Sequence, residues 1–191
     1  HVGTWGHIGV FSFNGNKTIT CGGGGMIVTD EQAHADYARY LTTQAKDDER
    51  EYYHKEVGYN YRLTSLQAAV GLAQLAQLPE FLEKKQAIAR WYREAFAGVP
   101  GMMLMPEQEG AAYWLYTILV SSRAQRDDVL AQLAEERIEA RPLWQPIHMQ
   151  PPYQGCRSAG PIEVAAELYE RAISLPSSVG LTEADQRRCM H

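Results

Sequence analysis

The chain has 191 residues, 45% hydrophobic and 21% charged, with a net charge of -5, which suits a soluble globular protein with a core and a domain or two. The acidic balance argues against a nucleic-acid surface, which shows as a basic patch. No apolar run of about 18 residues offers a membrane span, no secretory leader is read at the start, and Cys21, Cys156 and Cys189 are too widely spaced for a disulfide framework or a zinc site and read as reduced thiols.

The chain opens on His1 with HVGTWGHIG, which reads as the interior of something longer. Residues 8–13 and 26–28 are apolar runs bounded by glycine and are expected to form short buried strands. Between them, in FSFNGNKTITCGGGGMIVTD, lie an Asn-Gly turn, the single lysine Lys17 and four consecutive glycines. Thr29-Asp30-Glu31-Gln32 has the form of a capping box, predicting a helix from Thr29 to about Ala45. Residues 46–58 are highly charged, with two tyrosines, and read as an exposed loop. Thr64-Ser65-Leu66-Gln67 is a second capping box. The helix it opens carries Leu66, Ala69, Val70 and Ala73 at helical spacing, with Leu72 and Leu75 widening the apolar face; a helix apolar nearly all round is buried or at an interface. Pro79 interrupts that pattern. A third helix is expected from Glu80 to about Ala97, with Ile88, Trp91, Tyr92 and Phe96 inward and Gly98 as its stop.

The composition then changes. Residues 98–110 are turn-rich, and YWLYTILV, residues 113–120, is the clearest strand. Residues 122–136 read as a helix, 139–144 as a strand, and QPIHMQPPYQG as a proline-rich loop that excludes regular structure. A helix over 162–173 and a strand end, turn and new helix within SLPSSVGLTEADQ complete the chain. This order predicts the end of one α/β domain over 1–78 and a smaller αββαβ-like domain over 79–191.

From spacing alone Lys17 has two readings. One is a solvated lysine on a hairpin beside a flexible glycine turn. The other is a nucleophile at a strand end, where α/β folds place sites, able to condense with a carbonyl. His148 sits in the proline-rich loop; His7, His34, His54 and His191 stand singly, with no role assigned. Trp114 and Tyr116 read as core by strand periodicity, with a sugar platform as the alternative. No metal-ligand cluster is visible.

Two stretches settle the choice by resemblance. FSFNGNKTITCGGGGMIVTD and GYNYRLTSLQAAVGLAQL resemble the DegT-type sugar aminotransferases, which depend on pyridoxal 5'-phosphate and have fold type I. The likeness continues through YWLYTILV, RPLWQPIHMQPPY and LPSSVGLTEADQ. It implies an α/β fold comprising the end of the large cofactor domain and the small C-terminal α/β domain. It places the cofactor lysine at Lys17, a phosphate ligand at Ser12, a second at Asn60 reaching across a homodimer, and a phosphate or substrate contact at Arg62. It puts His148 on the substrate side with Tyr153 near it.

The family's pyridine-nitrogen aspartate and stacking aromatic precede the lysine strand, so the chain alone is expected to be inactive. The implied reaction moves an amine from glutamate to a nucleotide-linked keto-sugar, at C4 of a UDP-linked 4-keto-6-deoxy-N-acetylhexosamine, in cytoplasmic polysaccharide biosynthesis. The alternatives are a GDP-linked 4-keto-6-deoxymannose acceptor, as in perosamine synthases, and a non-catalytic regulatory or interaction protein that keeps the fold. A related dehydratase branch replaces the lysine by histidine, and position 17 is lysine.

Overall fold

In the computed structural model, which describes residue 1 and residues 3–190, strands β1 (Gly9–Ser12) and β2 (Gly25–Val28) pair antiparallel, with Gly9 opposite Val28 and Ser12 opposite Gly25. His191 lies outside the described residues. This hairpin belongs to the first of two compact units, His1–Pro79 and Glu80–His191. Of its eight strand residues only Gly9 is buried; Val10, Phe11, Met26 and Ile27 are exposed. The expected burial of both strands is therefore corrected: a two-stranded ribbon has no second layer to cover its faces.

Helix α1 spans Gln32–Thr42, not 29–45. The Thr29 capping box does not form. Thr29 Oγ1 instead accepts from Glu31 N–H and donates to the His7 carbonyl at 2.7 Å, so a turn precedes the helix. At the other end Gln44 and Ala45 take φ of 73° and 48°, which no α-helix accommodates. Helix α2 (Ser65–Ala76) has the expected cap: Thr64 Oγ1 accepts from Gln67 N–H, and Gln67 Oε1 accepts from Thr64 N–H. Its expected apolar face is not buried. Leu66, Val70, Leu72 and Leu75 are exposed, while Leu63, Gln67, Gly71, Gln74 and Leu78, spaced by three or four residues, are the half-buried stripe.

Helix α3 (Leu78–Ala95) opens at the junction of the units. The expected interruption forms: α2 ends at Ala76 and Pro79 lies in the first turn of α3, where a missing N–H costs nothing. Gly98, at φ +76°, follows its end as expected. The second unit is built on a four-stranded antiparallel sheet, β3 (Met103–Leu104), β4 (Tyr116–Leu119), β5 (Arg141–Pro142) and β6 (Ala172–Leu175), in the order β3-β4-β6-β5. Helices α4 (Arg123–Glu135), α5 (Glu163–Arg171) and α6 (Glu183–Arg188) complete it. All four residues of β6 are buried. Successive strand residues face opposite sides, so this central strand is covered on both.

That central place also explains why helix α5 stops at Arg171 and not at Ile173: Ala172 and Ile173 pair with Leu119 and Ile118. Ile88, Ala89 and Tyr92 of α3 pack with Tyr116, Ile118, Val120, Ile173 and Leu175 in one core. Tyr92 is wholly buried, stacks on Tyr116 at 5.4 Å and donates its hydroxyl to the Pro176 carbonyl at 2.9 Å. Trp91 and Phe96 pack at the core's edge.

The expected strand over 113–120 begins only at Tyr116, because Tyr113 is left-handed at φ 43°. The strand over 139–144 shrinks to Arg141–Pro142, and the proline-rich loop, expected to be irregular, forms two 3-10 turns, Ile147–Met149 and Pro151–Tyr153, the second opened by prolines whose φ suits it. No helix among the described residues is long and apolar enough to cross a membrane.

Candidate active site

Lys17 lies between the two strands of the hairpin, on a loop with a closed neck. Phe13 N–H donates to the Gly24 carbonyl at 2.9 Å. The Phe13 carbonyl accepts both Cys21 N–H at 3.0 Å and the Thr20 hydroxyl at 3.1 Å. Residues 14–20 are thereby pinched off as a smaller loop. Inside it the Asn14 carbonyl accepts Lys17 N–H at 3.0 Å, closing the turn that the Asn-Gly pair predicts. Lys17 is half-buried. Ser12 ends β1 just before the neck, and its Oγ accepts Asn14 N–H at 3.4 Å. That leaves the hydroxyl proton for an anion.

Part of the glycine run has a packing explanation. Gly24 is left-handed, at φ 82°, and a methyl group placed there would lie 2.5 Å from Leu63 Cδ2. A methyl group on Gly71, inside α2, would lie 2.7 Å from Cys21 Sγ. The loop therefore rests closely against Leu63, Gln67 and Gly71, and a Cβ at Gly24 or Gly71 would require the facing side chain to shift. Cys21, read as a reduced thiol, is free and buried in this contact.

Asn60 and Arg62 are held by a strap. Tyr59 N–H donates to the Leu41 carbonyl at 2.7 Å, Gln44 N–H to the Tyr59 carbonyl at 3.0 Å and Tyr61 N–H to the Thr42 carbonyl at 3.0 Å, with Asn60 bridged to Thr43. Gly58 is needed here, since a Cβ would meet the Gln44 carbonyl carbon at 2.2 Å. The preceding loop is fastened by Asp47, which accepts from Lys55 N–H at 2.7 Å and from the Tyr40 hydroxyl at 2.9 Å. The Lys55 N–H bond holds the Asp47 carboxyl below its usual range. Desolvation, followed by that carboxylate, pushes the Tyr40 phenol up to about 12. His54, read as having no role, joins the fastening: its Nδ1 lies 2.8 Å from the Gln44 carbonyl.

Within the first unit, Asn60 and Arg62 share a cleft of about 890 Å³ with Gly25, Ala38, Arg39 and Thr42. Lys17 and Ser12 do not line that cleft; Ser12 is linked to its wall by pairing with Gly25. Arg39 was not singled out by the sequence. It reaches the cleft because it sits on α1 above the strap, and it pairs with Asp36 at 2.9 Å.

In the second unit His148 and Tyr153 lie on the adjoining 3-10 turns, His148 half-buried and Tyr153 exposed. Ahead of them, Trp144 stacks on Trp114 at 5.5 Å and 17°. Trp114 is half-buried and its ring partner is exposed, whereas Tyr116 is wholly core. The buried Lys85 ammonium donates to the Trp114 carbonyl at 2.8 Å and to the Ser177 carbonyl, and burial lowers its pKa. Among the described residues no group of three or more His, Cys, Asp or Glu side chains could hold a metal ion.

A model of the DegT/DnrJ/EryC1/StrS aminotransferase family matches residues 1–191. EpsN of Bacillus subtilis (strain 168), assigned to the pyridoxal phosphate-dependent aminotransferases, is 42% identical over 193 residues, covering 97% of this chain and 49% of that protein. GDP-perosamine synthase of Escherichia coli O157:H7 is 38% identical over 182 residues, covering 95% and 50%. The solved structure of Helicobacter pylori PseC, an aminotransferase of pseudoaminic acid biosynthesis, superposes with a TM-score of 0.89 at 28% identity, over 100% of this chain and 53% of that one. The chain thus spans about half the length of the proteins it matches.

Proposed function

The chain belongs to the DegT/DnrJ/EryC1/StrS aminotransferase family, and on that premise we propose that the protein carrying it moves an amino group onto a nucleotide-linked keto-sugar, with pyridoxal 5'-phosphate held at Lys17. The observation that carries this reading is the family match over the whole chain, with a lysine on the necked loop between β1 and β2. Residues 1–78 are then the end of the large cofactor domain and 79–191 the small C-terminal domain.

The side chains suit the cofactor. Lys17 supplies a primary amine for its aldehyde. Ser12, with its hydroxyl proton uncommitted by the Asn14 contact, and the exposed Asn60 and Arg62 supply a hydroxyl, an amide and a guanidinium for its phosphate. When bound, pyridoxal phosphate draws electrons from the carbon that bears the donor's amine. Lys17 Nζ would anchor the cofactor, give way to the incoming amine, take the proton from the donor's Cα as base and, as acid, deliver it to the former aldehyde carbon on the cofactor side. His148 and Tyr153 face the sugar. The amino donor is glutamate, and the reaction runs in the cytoplasm.

Asn60 serves the site of a second copy in a homodimer. The exposed apolar residues of α2, which follows Asn60 in the chain, support that arrangement. The acceptor is the C4 carbonyl of a 4-keto-6-deoxy sugar. The form of the lysine loop supports a UDP-linked N-acetylhexosamine. The 38% identity to GDP-perosamine synthase supports a GDP-linked 4-keto-6-deoxymannose as the second reading.

The test is to give full-length protein glutamate with each acceptor and to map the product by NMR. A 4-amino sugar is expected from wild type and none from Lys17→Ala. A 3-amino product contradicts the acceptor reading, and undiminished turnover by Lys17→Ala contradicts the role of Lys17.

A further inference from the structure

We propose that Gly71 and Cys21 are positioning residues, a latch that sets where the Lys17 loop rests on helix α2. This deepens the reading of Lys17 as the cofactor lysine and rests on it. The argument starts from the neck. Cys21 N–H bonds to the Phe13 carbonyl, so any movement of Cys21 is passed to Phe13. Those two residues flank residues 14–20 on either side, and Lys17 is in the middle of that segment. Ser12 precedes Phe13 directly. Moving the neck therefore moves Lys17 and Ser12 together.

What fixes the neck is the Cys21 side chain. It is 7% exposed and points at the one α2 position in this stretch that lacks a Cβ, Gly71. Glycine inside a helix is unfavourable on its own account, and here the space it leaves is occupied by sulfur. Leu63, just ahead of α2, makes a second close fit against Gly24. Gln67 and Gly71, four residues apart, stack along one face of α2, and Leu63 lies just before the Thr64 cap. Together they meet the C-terminal side of the loop at Cys21, Gly23 and Gly24.

The consequence is steric and has a sign. Alanine at Gly71 pushes Cys21 away and lifts the neck. Alanine at Cys21 removes the sulfur that the new methyl group would strike. The second substitution therefore repairs the first, which ordinary destabilisation of α2 would not allow.

The experiment uses full-length protein as wild type, Gly71→Ala, Cys21→Ala and the double variant. Hydrogen exchange of the peptide spanning 13–24 is read by mass spectrometry without cofactor, with the β6 peptide as reference. The pH midpoint of the visible band is read with pyridoxal phosphate bound, and turnover is read last. Gly71→Ala is expected to speed exchange in 13–24 but not in β6, to shift the midpoint, and to cut turnover by about ten- to a hundredfold, the cost of displacing a reacting group by about 1 Å. The double variant is expected to return all three toward wild type.

A double variant as impaired as Gly71→Ala, or worse, overturns the latch, as does a Gly71→Ala protein unchanged in exchange. If Gly71→Ala does not fold, Cys21→Ala alone decides. Faster exchange confined to 13–24 supports the latch, and unchanged exchange rejects it. A visible band that survives in Lys17→Ala would overturn the reading of Lys17 instead, and the exchange data would still judge the latch.

Discussion

The two units place their apolar residues in opposite ways. In the second, Tyr92 and Tyr116 stack face to face with no exposed surface, and β6 is covered on both sides. In the first, Leu66 is 77% exposed and Leu72 69%, and no residue of α1 or α2 is buried. The second unit has a core cluster and, among the described residues, the first has none; it is held by backbone hydrogen bonds, the Asp47 and His54 side chains, the Thr64 capping box and glycine-sized fits. Lys17 lies on the unit without a core. It sits on the necked loop, while large apolar side chains of α2 face outward.

The sharpest way to break this comparison is to separate the units. Residues 77–191 are expected to unfold cooperatively on heating, and residues 1–79 to show no cooperative transition by circular dichroism, because cooperative unfolding needs a shared core. A first unit that melts cooperatively alone would break the contrast. Within the second unit, Tyr92→Ala is expected to cost about 3–5 kcal/mol of stability in denaturant unfolding, through the cavity and the loss of its hydroxyl bond to Pro176. A cost below about 1 kcal/mol would mean that Tyr92 is not the centre of that core.

The sequence makes some of this plain and hides the rest for physical reasons. The Thr64 box, Gly98 and the Asn-Gly turn are local signals, and each appears where its chemistry requires. Thr29 carries the same signal and fails: its oxygen accepts Glu31 N–H two residues on, and its proton goes to the distant His7 carbonyl. The apolar face of α2 was legible as a face, but not its direction. Gln67 and Gly71 point into the unit while the leucines point out, and hydrophobicity alone orients the helix the other way. The clue was a glycine in a helix interior. Ala172 and Ile173 continue a helical pattern until the central strand claims them.

A smaller effect sharpens the account of the first unit. Thr64→Ala removes the cap of α2 and is expected to cost about 1 kcal/mol, with faster hydrogen exchange at the helix start. No change in exchange there would show that the cap does not support the stripe under the Lys17 loop.

The smallest effect concerns the strap that carries Asn60. Asp47 has a depressed pKa in the fold, so the stability it lends is present above its ordinary value of 3.8 and is lost as the pH falls through the depressed value. Tyr40 works the other way. Its pKa is raised from 10.0 to about 12, so its contribution is present below 10.0 and fades as the pH rises through about 12. The Lys55 amide resonance should report the acid edge by NMR, with a midpoint below 3.8. A midpoint at or above that value would contradict the hydrogen bond from Lys55 N–H to Asp47.

The central claim is that Lys17 holds the cofactor, and one measurement addresses it directly. Full-length protein is loaded with pyridoxal phosphate, reduced with borohydride, digested and mapped by mass spectrometry. The account predicts a single phosphopyridoxyl adduct on Lys17; an adduct on another lysine, or none, would contradict it.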